Sequence, residues 1–201
     1  KKILLSRSHN EYLVKKLNLI TNYTTKGLIK TTYLDREDSP VFLEIDKNHL
    51  QQVNYPITII PRKGNQYEVT LPEEGESPYL YNYVTESVEA VSPYARPANK
   101  ILNLNEWYET PNLKFKLIPN PTPSNLGLNN IIITLVPVNQ AVNSITSSLF
   151  VEFDKELSSI MVISKTGYNL NNTVSFLNNS VDELIKKRLT DQNTVDQNTV
   201  K

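Results

Sequence analysis

The last quarter of the chain, Ser158 to Lys201, constrains the fold most, because it reads as a buried strand running directly into a long helix. Ser-Ser-Ile-Met-Val-Ile-Ser at 158–164 is a short apolar run suited to a sheet covered on both faces, and Lys165-Thr166-Gly167-Tyr168 interrupts it. A helical pattern then holds. Leu170, Val174, Leu177, Val181 and Leu184 alternate spacings of four and three, which gathers them into one stripe that must face a partner. Asn169 or Asn171 supplies the N-cap. Beyond Leu189 the pattern thins into the pentad Asp-Gln-Asn-Thr-Val, present at 191–195 and again at 196–200. A step of five residues turns a helix by roughly 140°, so Val195 and Val200 do not share a face. A polar end without a Gly or Pro stop signal reads as a piece of a longer chain.

At 201 residues the chain is long enough for one large or two small domains with a real core. Lys plus Arg and Asp plus Glu both number 21, so no net field recruits nucleic acid or an acidic membrane. No apolar run approaches the roughly 18–20 residues that span a bilayer, and the start does not read as a signal peptide. As given, the piece reads as soluble. The absence of cysteine removes disulfides, thiol nucleophiles and Cys-based zinc sites, and fits a reducing or an oxidising compartment equally.

From its start, Lys2 to Leu19 predicts an amphipathic helix with Leu5, Leu13 and Leu17 on one face, flanked by Tyr12. The texture then turns β-rich, with strands expected at Leu28–Leu34, Val41–Ile45, Ile57–Pro61 and Gln66–Leu71, the last two joined by a hairpin at 62–65. An acidic turn at 72–78 reads as a solvated loop. Tyr79, Tyr81 and Tyr83 alternate at period two, which sets three phenol rings on one strand face. They read as half of a core, or as rings that stack on sugars. Ile101–Asn105, the only Trp at 107, the alternating Leu113–Leu117 and a Pro-rich loop at 119–127 follow. Together these make 35–127 a β-rich, Pro-rich excursion within one domain spanning 1–201. Strands at Ile131–Val136 and Leu149–Phe153 then bracket a short helix at Asn139–Ser148. The order predicts an α+β fold, a mixed sheet packed by an N-terminal helix, a short helix and a long C-terminal helix.

No chemistry is written plainly. The histidines, His9 and His49, stand in unrelated contexts without a second ligand at metal spacing, and His9 reads as a packed or interface histidine near the first helix's apolar stripe. A phosphate-cradling Gly-rich loop and a Gly-x-Ser-x-Gly elbow are both missing from the sequence. The expectation is no catalytic residue, no cofactor and no metal. A hydrolase with an unmarked carboxylate pair stays open as an alternative.

Three separated stretches, in order, resemble one family. Ile3-Leu4-Leu5-Ser6-Arg7-Ser8 through Tyr12-Leu13-Val14-Lys15-Lys16-Leu17-Asn18-Leu19 resembles the segment after the first membrane span of the chain-length determinant (Wzz-type) proteins. Asn105-Glu106-Trp107-Tyr108-Glu109-Thr110-Pro111 with Phe115 resembles the G-E-W-x-x-T-P-x-x-x-F feature of the larger, Wzc-like branch, whose cytoplasmic part is a tyrosine autokinase. Ile160-Met161-Val162-Ile163-Ser164, then Phe176-Leu177-Asn178, then Asn198-Thr199-Val200 resemble that branch's strand, its A-x-x-x-L-N helix and the beginning of its long extracytoplasmic helices. Asn105 stands where the family usually has Gly, no Asp-Pro follows Gly167, and Thr173 or Val174 stands where Ala is frequent.

The resemblance implies a non-catalytic extracytoplasmic domain of a polysaccharide co-polymerase, on the periplasmic face of a bacterial inner membrane, anchored by flanking spans outside this chain. It implies homo-oligomeric assembly that governs chain length and export of capsular polysaccharide or exopolysaccharide. The partners would be a polysaccharide polymerase, an outer-membrane export channel and, weakly, the growing glycan. Trp107, Tyr79, Tyr81 and Tyr83 are then the candidate glycan contacts, with Trp107 also readable as core. Arg7, Leu177, Asn178 and Asn198 are candidate assembly or motif positions. A soluble oligomerising adaptor and a carbohydrate-binding module are the alternatives.

Overall fold

The computed structural model describes residues 1–27, 31–72, 79–91, 99–122, 130–154 and 160–199, with backbone alone from 191 onward. The acidic turn at 73–78, the Pro-rich stretches at 92–98 and 123–129, the beginning of the Leu28–Leu34 strand and Ser158-Ser159 lie outside the described residues.

In chain order the elements are helix α1 (Arg7–Lys16), strands β1 (Thr21–Lys26) and β2 (Thr31–Leu34), a 3-10 turn (Arg36–Asp38), then β3 (Val41–Ile45), β4 (Gln51–Gln52), β5 (Pro56–Pro61) and β6 (Gln66–Thr70). There follow β7 (Tyr79–Tyr81), β8 (Val88–Ala90), β9 (Lys100–Asn103), β10 (Trp107–Thr110), β11 (Leu113–Pro119) and β12 (Ile131–Leu135). Helix α2 (Val138–Ser148), β13 (Leu149–Phe153), β14 (Met161–Lys165) and helix α3 (Leu170–Thr199) close the order. This is the α+β fold the texture predicts, with a helix at the N-terminal end and a long one at the C-terminal end. The strands divide among four sheets, and every described pairing is antiparallel.

The chain forms two compact units. The first joins Lys1–Asn18 to Asn139–Lys201, and the second is Leu19–Val138, which contains the whole 35–127 excursion.

In the second unit the strand order β2-β1-β12-β5-β6-β9 builds a six-stranded sheet. Its centre is aliphatic because β5 and β12 alternate Ile57, Ile59, Ile131 and Ile133 inward, all fully buried. The β5–β6 hairpin closes as the turn residues predict: Arg62 N–H donates to the Gln66 carbonyl at 2.7 Å, and Gly64 and Asn65 take positive φ. Two three-stranded sheets, β10-β11-β3 and β4-β7-β8, complete the unit. On β11 strict alternation sends Leu113, Phe115 and Leu117 inward and leaves Lys114, Lys116 and Ile118 on the other face.

In the first unit Ser6 caps α1, its Oγ accepting from the His9 N–H at 3.4 Å, and the helix starts at Arg7 rather than Lys2. That shorter helix changes the inward face. Leu4, Leu13 and Val14 are buried, whereas Leu5, expected on the apolar face, is exposed. Asn169 caps α3, accepting the Asn172 N–H at 2.8 Å. A side chain at Gly167 would meet Thr173 Oγ1 at 2.7 Å, which is why the break between β14 and α3 needs glycine.

Candidate functional site

Among the described residues the fold leaves apolar side chains exposed in several places, Phe150, Ile160 and Val162 along β13–β14 included. This corrects the expectation of a strand there covered on both faces. Two of these surfaces, one in each unit, combine exposure with a regular pattern. The first is on α3. At about 100° per residue, Phe176, Ser180 and Leu184 lie side by side, and they are 1%, 0% and 8% exposed. Leu170, Val174, Val181 and Ile185 form a second stripe roughly 110° around the axis, and they are 71%, 46%, 38% and 50% exposed. Phe176 and Ser180 therefore provide the packing face, with Leu184 alone shared from the stripe the spacing singles out. Of the rest of that stripe Leu170, Val174 and Val181 are exposed and Leu177 is half-buried, a correction to the expectation that the whole stripe packs on the domain's own sheet.

Ser180 is buried on a helix because α1 brings it a partner. His9 Nε2 lies 2.8 Å from Ser180 Oγ, and beside it Lys16 Nζ pairs with Glu183 Oε1 at 2.7 Å. His9 is thus an interface histidine between two helices of one unit. Desolvation by burial lowers its pKa, with Lys187 adding to that effect and Glu183 opposing it. The folded state then holds fewer protons on His9 than the unfolded chain does just below the ordinary histidine range, so stability falls as pH falls through that window. A melting series from pH 7.5 to 5 should show a falling midpoint for the first unit, and His9→Gln should flatten that slope.

The second surface is the outer face of β10-β11-β3. Trp107 lies opposite Lys116, which lies opposite Glu44, and Lys116 Nζ reaches Glu44 Oε1 at 3.0 Å. One row along, Glu109 lies opposite Lys114, whose Nζ is 3.2 Å from Glu109 Oε2 and 3.5 Å from Asp46 Oδ2. Both ammonium groups also sit near the indole, 5.0 Å from the ring centroid for Lys116 and 5.8 Å for Lys114. Trp107 is 40% exposed, which corrects the reading of this residue as core. The platform beneath is rigid. Tyr108 and Phe115 stack at 5.0 Å on the inner face, and the buried Gln51 amide grips the Lys114 backbone, accepting its N–H and donating to its carbonyl, both at 3.0 Å.

The tyrosines do not join Trp107. Tyr81 and Tyr83 are buried and pack edge to face at 4.9 Å, and the Tyr83 hydroxyl donates to the Val136 carbonyl at 2.8 Å. Burial pushes the Tyr83 phenol pKa up. These two rings belong to the core and offer no face to a glycan, while Tyr79 is half-buried beside Asn54 at 3.4 Å. Of the motif positions, Arg7 is exposed near Glu11 at 3.7 Å, Leu177 is half-buried and Asn178 exposed on α3. Asn198 falls in the last turn of α3, where only the backbone is described.

Fold and surfaces together define an α+β chain with an apolar helix stripe uncovered in one unit and a tryptophan ledge in the other. Among the described residues no helix is long and apolar enough to cross a membrane, and no cluster of His, Asp or Glu is placed to hold a metal. No protein-family model matches the chain, and no curated protein matches it either.

Proposed function

We propose that this chain is a non-catalytic extracytoplasmic domain of a membrane-anchored polysaccharide co-polymerase of the Wzz type, acting through assembly of copies to govern glycan chain length and export. The observation that carries the reading is the uncovered stripe of α3. Leu170, Val174 and Val181, all exposed, and Leu177, half-buried beside them, follow one another at steps of four, three and four, the d and a positions of a heptad. Leucine at d with a β-branched residue at a suits a helix of like sequence, so the occupant proposed for the stripe is a second copy of this chain. An assembly of this kind works by the spacing of its subunits, without bond chemistry.

The resemblance to the Gly-Glu-Trp feature gains support from its apparent departure. Asn105 stands in the place of glycine with φ 64°, a left-handed conformation that glycine adopts freely and asparagine tolerates best among side-chain-bearing residues. Asn105 N–H donates to the Leu117 carbonyl at 2.8 Å, so this turn delivers Trp107 to the start of β10.

The test is the double substitution Val174→Glu/Val181→Glu. Both residues are exposed, so each change should alter stability by no more than about 0.5 kcal/mol. Sedimentation of the wild-type chain over a concentration series should show reversible self-association, and the double variant should remain monomeric with unchanged helix content. In cells carrying the parent gene, the same substitutions should alter glycan length. A monomeric wild type and unaltered glycan would overturn the reading, and self-association with unaltered glycan would favour a soluble adaptor.

A further inference from the structure

We propose that the Trp107 ledge binds one pyranose ring of a neutral glycan, the indole stacking on the ring's C–H face while Glu44, Glu109, Lys114 and Lys116 meet its hydroxyls. This deepens the assembly reading and depends on it only for where the glycan comes from.

Charge decides among occupants. Each ammonium on the face is already neutralised, Lys116 by Glu44 and Lys114 by Glu109 and Asp46, and the three carboxylates outnumber the two ammoniums. Neither of the two ammonium groups beside the indole is therefore left to recruit an anionic ligand. A cationic ligand meets an indole whose negative quadrupole already faces two ammonium groups within 6 Å. What remains is a neutral ligand with an apolar face for the ring and hydroxyls at its rim, and a neutral sugar ring has both.

The ledge is also preorganised. Trp107 projects from a strand whose opposite face is core, on a sheet whose central strand is gripped by Gln51, so little ordering is left to be done on binding. The ionic rows along the same face hold the lysine stems beside the indole, which leaves the exposed part of the ring defined in position. The carboxylates keep unused lone pairs, since Glu44 and Glu109 are about half exposed at their side chains, 48% and 57%.

The chain contains a single tryptophan, so its intrinsic emission reports on this site alone. Titration of the full chain with cellohexaose and with mannohexaose is expected to shift that emission saturably with at least one of them, at a half-saturation on the order of 1 mM. Hexagalacturonate, the acidic counterpart, should leave it unchanged. Titration calorimetry should show the binding heat lost in Trp107→Ala and retained, within about tenfold in affinity, in Trp107→Tyr, because a phenol still offers a stacking face. Wild-type melting of Trp107→Tyr keeps the test valid even where the alanine variant folds poorly. No shift with either neutral hexamer, or a shift with hexagalacturonate alone, overturns the proposal. Sugar binding that persists in monomeric Val174→Glu/Val181→Glu supports the ledge independently of assembly, whereas self-association without sugar binding sinks the ledge and leaves the assembly reading standing.

Discussion

Phe115→Ala is expected to destabilise the second unit by about 3–5 kcal/mol, the cost of removing a large ring from a site that cannot collapse around the gap. The ring is fully buried on β11, the central strand of β10-β11-β3, between the registered partners Tyr108 and Ile45. Its neighbours are tied down. Tyr108 stacks on it with an interplanar angle of 24°, and the backbone on either side is held by ladders to two strands. Urea denaturation followed by tyrosine and tryptophan emission should show the midpoint fall with an unchanged slope. The lone tryptophan lies on the opposite face of the same sheet, so its emission follows the loss of this core directly. A fall of less than about 1 kcal/mol would mean that β10 and β11 repack.

Phe115 was legible in advance because strict alternation over Leu113–Leu117 allows only one choice of inward face. Runs of β-branched and aromatic residues placed β3 and β13 at their observed bounds, and the turn residues at 62–65 placed the β5–β6 hairpin. Strand β1 was not legible, since Thr-Asn-Tyr-Thr-Thr-Lys contains one large apolar side chain and its strand character comes from partners far along the chain. Tyr23 gave the available signal. It is buried, and its hydroxyl accepts the Leu43 N–H at 3.0 Å, so an aromatic among threonines marked a strand with one covered position.

The candidate surfaces were half legible for a related reason. Periodicity told which residues of α3 share a stripe but not whether the chain supplies a cover for it, because covering depends on where α1 docks. The docking includes the His9 to Ser180 hydrogen bond and the Lys16–Glu183 ion pair, polar contacts between residues 171 and 167 positions apart that no apolar pattern pairs. Similarly, the alternation of Tyr79, Tyr81 and Tyr83 reads as one face of a strand, but β7 ends at Tyr81 and Tyr83 lies in the turn beyond it. Burial and the Tyr83 to Val136 hydrogen bond, not strand parity, therefore put Tyr81 and Tyr83 in the core. Trp107 went the other way. A lone tryptophan in a strand reads as core by hydrophobicity, yet its parity with Lys114 and Lys116 across the β10–β11 ladder puts it on the charged face.

On α3 the two faces predict a contrast that a single helix rarely offers. Phe176→Ala should cost the first unit about 3–5 kcal/mol, since the ring is buried and lies on the face that also carries Ser180 and Leu184. Val174→Ala, two residues away on the uncovered stripe, should change the monomer's stability by less than about 0.5 kcal/mol and weaken self-association instead. Thermal melts at low concentration isolate the monomer, and sedimentation at high concentration reads the assembly, so each substitution is scored on both scales. The phenylalanine change should move the melt at every concentration. The valine change should move it only where copies associate, because a group that contacts a second copy adds stability only in proportion to occupancy of that copy. Equal effects of the two substitutions at low concentration would show that α3 is covered on both faces within one chain, and would remove the basis for placing a second copy on its stripe.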